Sequence, residues 1–203
     1  MRTPVPVAAL LAALLAAAPA TAGEVFAGLL AHAVNLRGTP PPPAILFEGQ
    51  EEQGTHDLEL GWRSDYFGSG RVLEMRGALK AQINLDGRTS FLAAGFDFRK
   101  PFLRDRLYAQ IGIGLAYQTG YSFTPDPFES GLSQSEFNRR YDIYLNRTAF
   151  GSKVLFNPNA AVGLRVSPRL ALEGTWEHYS HAQLFSSQNP GIDSFGARLV
   201  WRY

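Results

Sequence analysis

Apolar and polar residues alternate along most of the chain beyond residue 24. His56 to Ser64 puts Leu58, Leu60 and Trp62 on one face, and Asp105 to Thr119 alternates Ile111, Ile113 and Leu115 with Gly112, Gly114 and Ala116. A period of two is the signature of a strand. It predicts strands over Val25–Val34, His56–Ser64, Val72–Asn84, Thr89–Arg99, Asp105–Thr119, Phe150–Val166, Arg169–Ser180 and Ile192–Tyr203, and no helix. The sixth is expected to bend at Asn157-Pro158-Asn159, because proline cannot donate to a ladder. Leu85-Asp86-Gly87-Arg88 reads as a hairpin turn by its Asp-Gly pair. The long connections, Leu36–Thr55 with its Pro40–Pro43 run, Gly120–Arg147 and the segment after Ser180, follow the first, fifth and seventh strands. Long loops at one end and mostly short turns at the other predict an all-β, eight-stranded antiparallel up-and-down barrel of the outer-membrane kind.

The last strand sharpens this expectation. Phe195, Ala197, Leu199, Trp201 and Tyr203 share one face, with Gly196, Arg198, Val200 and Arg202 on the other. A terminal aromatic with apolar residues at every second place resembles the C-terminal signal of bacterial outer-membrane barrels. A soluble sandwich would bury the same face, so alternation by itself leaves both open. The seventh strand carries Glu173 and Glu177 on the face of Ala171 and Tyr179, and Leu170, Leu172 and Trp176 on the other. In a membrane barrel the glutamates turn to the lumen and the apolar residues to lipid.

Before the strands stands a different segment. Met1-Arg2 is followed by an apolar run, Val5–Ala18, and by Ala20-Thr21-Ala22, small residues suited to a signal peptidase. Residues 1–22 are therefore expected to be a cleaved secretory signal peptide, and 23–203 the barrel. The 203 residues carry no cysteine, which excludes disulfides and thiolate chemistry, and 19 Lys+Arg against 18 Asp+Glu argue against nucleic acid as a partner.

The candidate chemistry lies on the seventh and eighth strands. His178 and Ser180 have the lipid-facing parity of Trp176, and Asp193 has that of Phe195, across the hairpin from Ser180. Polar groups facing hydrocarbon are costly. A serine becomes a nucleophile when a histidine takes its proton and a carboxylate steadies the imidazolium. An interfacial histidine and a turn serine are the plainer reading of the same residues. His178 and His181 fall on opposite faces and no further ligand set accompanies them, so no metal or other cofactor is expected. His32 and His56, at strand ends, are expected to be rim residues.

His178-Tyr179-Ser180-His181-Ala182 followed by Asn189-Pro190-Gly191-Ile192-Asp193 resembles the signature of the PagL-type lipid A 3-O-deacylases, often labelled acyloxyacyl hydrolases. Glu24 to His32, Asp57–Glu59 and Phe150–Phe156 add to the likeness. The resemblance implies an outer-membrane serine esterase acting on lipopolysaccharide, with Ser180 as nucleophile, His178 as general base and Asp193 as the orienting acid. It implies lipid A and outer-membrane lipid as partners and leaves room for a homodimer. The family pattern has Asn after the serine, where this chain has His181; His181 and Gln183 are then the candidates for oxyanion stabilisation. A non-enzymatic structural or adhesive barrel, working through its long loops, is the competing expectation. A wide pore is not, since eight strands leave an interior filled by side chains.

Overall fold

A computed structural model describes residues 23–34, 52–67 and 73–203. The expected signal peptide, Val72 and the Pro40–Pro43 run lie outside these residues. The strands are β1 (Gly23–Ala31), β2 (His56–Ser64), β3 (Glu74–Asn84), β4 (Phe91–Phe102), β5 (Leu107–Gln118), β6 (Val154–Phe156), β7 (Asn159–Arg165), β8 (Leu170–Tyr179) and β9 (Ile192–Arg202), with one helix, α1 (Gln134–Asn146), between β5 and β6. Each neighbouring pair is antiparallel, and the sheet closes through the pairings of β1 with β9 and β4 with β5. β6 and β7 both pair with β5 and share one position, so the barrel is eight-stranded.

The sixth predicted strand is thus interrupted at Asn157-Pro158, where the bend was expected, and its two pieces keep one register against β5. Pro158 has no N–H to give, but Asn157 keeps the register of β7 and exchanges main-chain hydrogen bonds with Gly114 at 2.8 and 3.1 Å, so that β6 continues along β5 in the same line. The prediction of no helix fails. α1 stands in the long loop after β5, capped by Ser133, whose hydroxyl accepts from the Glu136 N–H at 3.3 Å. Arg139 and Arg140 both donate to the Glu136 carboxylate. Phe137, Tyr141 and Tyr144 form a 3.6-period stripe that packs around Phe128.

The two faces of the sheet differ sharply in chemistry. Leu29, Leu92, Phe96, Ile111, Ile113, Val162, Leu172, Leu199 and Trp201 are exposed on the outside, a surface suited to hydrocarbon. Inside, Arg63, Arg76, Lys80, Arg99 and Arg198 are buried among Glu24, Glu59, Asp97, Glu173 and Glu177. Buried charges are tolerated only when paired and hydrogen-bonded, and here they are. Arg63 grips Glu173 with two bonds, at 2.9 and 3.1 Å, and donates through Nε to Asp97 at 2.7 Å. Arg99 forks onto Glu24 at 2.6 and 2.7 Å, Arg198 bridges Glu173 and Glu59, and Lys80 reaches Glu177. The Tyr108 hydroxyl donates to Glu173 at 2.6 Å. Arg63 and Arg198 stack on the Phe26 ring at 4.6 and 4.5 Å.

At the loop end the filling becomes apolar, with Phe91, Phe150, Leu155, Tyr179 and Ile192 in one cluster. His32 is buried there, not set on the rim as its strand-end position suggested. Its Nδ1–H donates to Asp57 at 2.7 Å and its Nε2–H to Glu52 at 3.1 Å. Burial by itself would push the imidazole down, but the Asp57 and Glu52 carboxylates outweigh it and raise the pKa to about 9. His56, by contrast, is exposed beside Asp86 at 3.8 Å, at the rim as expected.

Glu173 is the hub of the lumen. Glu173→Ala strands Arg63, Arg99 and Arg198 with too little counter-charge and should destabilise the detergent-folded barrel by about 3–5 kcal/mol. Leu172→Ala, on the outer face, should cost far less. Denaturant unfolding of the refolded proteins checks the difference.

Candidate active site

β8 and β9 form a hairpin whose register sets His178 opposite Asp193 and Tyr179 opposite Ile192. Asp193 therefore faces His178, one step along from the placement across Ser180 that the sequence suggested. Ser180 follows the last residue of β8 and is held in line by main-chain bonds to Phe156 at 2.6 and 3.2 Å. With β8 extended to this point, residues 178 and 180 share the outer face while Tyr179 and His181 turn inward and are buried.

The side chains meet in a linear chain. His178 Nδ1 is 2.9 Å from Asp193 Oδ1, and His178 Nε2 is 2.9 Å from Ser180 Oγ. An ionised carboxylate only accepts, so the proton sits on Nδ1 and Nε2 accepts from the hydroxyl. That is the tautomer a general base needs. His178 and Asp193 are about a quarter exposed, at 27% and 28%, so the site is half-sheltered yet open to the side that faces lipid.

Two features around this chain were not read from the sequence. Trp176, assigned only to lipid contact, also donates its indole N–H to Asp193 Oδ1 at 2.8 Å. Asp193 Oδ1 is thus held from two sides, and Trp176 acts as a positioning residue for the carboxylate. Its parity, two residues before His178, was the available signal. The second is Gly191, at φ +67°, where a Cβ would stand 3.2 Å from His178 Cε1 and 3.5 Å from Ser180 Cβ. The left-handed backbone and the close approach both call for glycine.

Of the two oxyanion candidates, His181 turns away from Ser180. The His181 ring points inward, with Nε2 against the carbonyls of Phe150 at 2.7 Å and Gln188 at 2.9 Å. Its N–H is spent on those carbonyls, so the ring fastens the hairpin loop to the β6 side instead of facing Ser180. The His181 main-chain N–H donates to Asn189 Oδ1 at 2.8 Å. Gln183 is exposed in a turn where both Ala182 and Gln183 have positive φ, 51° and 59°. Among the described residues, no group of three or more His, Asp or Glu is arranged to hold a metal ion.

The family model described as "Lipid A 3-O-deacylase (PagL)" matches residues 55–202. The chain belongs to that family. Among solved structures, the crystal structure of the outer membrane enzyme PagL is similar, with 17% identity and a TM-score of 0.53, covering 88% of this chain and 98% of that one. Neisserial surface protein A is similar at 9% identity, TM-score 0.48, with 90% and 96% covered. A de novo designed transmembrane β-barrel is similar at 13% identity, TM-score 0.46, with 92% and 98% covered. No curated protein matches. With its family and its lipid-facing band, the chain is a bacterial outer-membrane barrel of the PagL family.

Gly191→Ala tests the site locally. A Cβ there strains the backbone and pushes the His178 ring by a few tenths of an ångström. Ester turnover by the folded protein should fall roughly tenfold or more in kcat, with the circular dichroism of the barrel unchanged. Turnover equal to the wild type would mean that His178 needs no such placement.

Proposed function

We propose that the protein is an outer-membrane serine esterase that hydrolyses the 3-O-linked acyl chain of lipid A. The observation that carries the reading is the unbroken Ser180–His178–Asp193 hydrogen-bond chain on the lipid-facing side of the barrel, at its loop end. Membership of the lipid A 3-O-deacylase family supports the substrate. Topology supports the location: β8 rises to the loop end and β9 returns, so with the short turns inside the cell envelope the site is level with the outer leaflet, where lipid A resides.

The mechanism follows from the geometry. Ser180 Oγ attacks the ester carbonyl carbon while His178 Nε2 takes the hydroxyl proton. The imidazolium is stabilised by Asp193, which Trp176 holds in place. The bond from the carbonyl carbon to the sugar oxygen breaks, and His178 returns the proton to that oxygen. The acyl group is left on Ser180. Water, deprotonated by His178, then attacks the acyl carbonyl, releasing the free hydroxy acid and restoring the serine. With the His181 ring engaged by two carbonyls, stabilisation of the oxyanion is left to main-chain N–H donors. No step calls on a cofactor.

The test is incubation of the refolded protein with lipid A in detergent, read by mass spectrometry. The expected product has lost one hydroxyacyl group. Ser180→Ala should lower the rate by roughly 10⁴–10⁶-fold. A Ser180→Ala protein that deacylates as fast as the wild type would sink the proposal.

A further inference from the structure

His178, Ser180 and Asp193 face outward, and the residues beside them in the chain, Tyr179 and Ser194, face the lumen and are buried. Both inward residues end on one side chain. Gln82 lies on β3, which stands diametrically opposite β8 in the strand order of the closed barrel. Its buried amide crosses the lumen to meet them. The Tyr179 hydroxyl donates to Gln82 Oε1 at 2.9 Å, and Gln82 Nε2 donates to Ser194 Oγ at 3.0 Å.

A third partner fixes the orientation of this amide. Gln82 Nε2 also donates to Asp57, and an ionised carboxylate only accepts. That turns Oε1 toward Tyr179, whose hydroxyl must then donate. Asp57 is held in its turn by His32 Nδ1 at 2.7 Å and by Asn84 Nδ2 at 2.9 Å. The oxygen and both N–H groups of Gln82 are therefore engaged.

Packing alone does not call for an amide at this position. The surrounding cluster is apolar: Phe91, across from Gln82 on β4, stacks on the Tyr179 ring at 3.8 Å, with Phe150, Leu155 and Ile192 beside it. A leucine at 82 would fill such a place without a polar group to satisfy, and a phenylalanine at 179 would keep the stack. A buried amide is costly unless fully bonded, and a fully bonded one specifies geometry that apolar contacts leave free.

That geometry is needed where the ladder ends. The β8–β9 pairing stops at Tyr179 and Ile192, so Ser180 lies past its last rung. The peptide units flanking Tyr179 carry His178 and Ser180, and the one before Ser194 carries Asp193. An anchored Tyr179 hydroxyl sets the tilt of the chain between residues 178 and 180, and an anchored Ser194 holds β9 at Asp193. One amide on the far wall thus ties both strands at the height of the His178–Asp193 pair. We infer that Gln82 is a positioning residue for the reaction, clamping Tyr179 and Ser194 from across the lumen so that His178 stays in hydrogen-bond reach of both Ser180 and Asp193. The inference rests on the serine-esterase reading above and adds to it a residue that touches neither substrate nor reacting atoms.

The experiment uses the full refolded protein in detergent with a p-nitrophenyl ester, and reads kcat and KM beside the denaturant midpoint of unfolding. Tyr179→Phe and Ser194→Ala each remove one arm of the clamp, and Gln82→Leu removes both. Gln110→Leu is the control, since it deletes a lumen amide whose bonds go to Arg99 and Asp97 on β4. Gln82→Leu should lower kcat by roughly tenfold to a hundredfold, the effect of a displacement of up to about 1 Å, with KM little changed. Tyr179→Phe should act in the same direction. Adding it to Gln82→Leu should cost nothing more, because the two break the same bond. Gln110→Leu should lower the unfolding midpoint and keep the wild-type kcat. If Gln82→Leu does not fold, Tyr179→Phe and Ser194→Ala decide: wild-type kcat in both would overturn the clamp and leave the esterase intact. A kcat loss in Gln110→Leu as large as in Gln82→Leu would overturn it too, as would losses that simply add in the double variant. A wild-type protein inert toward the ester would instead bring down the serine-esterase reading, and the clamp with it.

Discussion

A slip of β8 by one residue against its neighbours would turn His178 into the lumen, away from Asp193, and Glu173 and Glu177 into hydrocarbon, because side chains alternate faces with a period of two. Charges facing lipid cost several kcal/mol near the bilayer middle, and Glu173 would lose Arg63, Arg198 and Tyr108 at once. The ion pairs of the lumen therefore do more than fill it. They fix which residues of β8 face outward, and so hold a histidine and a serine on a surface where polar groups would otherwise be unwelcome. The Arg198 guanidinium on β9, bonded to Glu173 directly across the hairpin, locks the same register from the other strand.

The site inherits its precision from this arrangement. His178 and Asp193 are cross-strand neighbours in a rigid ladder, and Ser180 is pinned by main-chain bonds to Phe156 just past the end of β8. Only the loop beyond Ser180 has to be shaped locally. His181 ties it to Phe150, Asn189 ties it to the His181 N–H, and Gly191 lets the chain return without pressing on His178. A polar site exposed to lipid is thereby held by a buried polar interior beneath it and by a compact turn above it.

Much of this was legible in the sequence, because one strand carried the contrast. Glu173 and Glu177 against Leu170, Leu172 and Trp176 define the two faces of β8, and parity then carries His178 and Ser180 outward. What was not legible depends on contacts across the barrel. His32 looked like a rim residue because its partners, Glu52 and Asp57, lie twenty or more residues away. α1 carried a local signal, Ser133 with Glu136 three residues on and a 3.6-period aromatic stripe, that was submerged in a loop judged by its polarity. The Trp176 bond to Asp193 needed the cross-strand pairing that the sequence placed a step away.

The central claim is that strand register makes Ser180 a reactive nucleophile on the outer surface. Intact-mass analysis after treatment with a fluorophosphonate, which labels activated serines, tests it most directly. The account predicts a single adduct on Ser180 of the detergent-folded protein, lost on denaturation and in His178→Ala. No adduct on a protein with intact barrel circular dichroism, or labelling of Ser180 at an equal rate in His178→Ala, would contradict it.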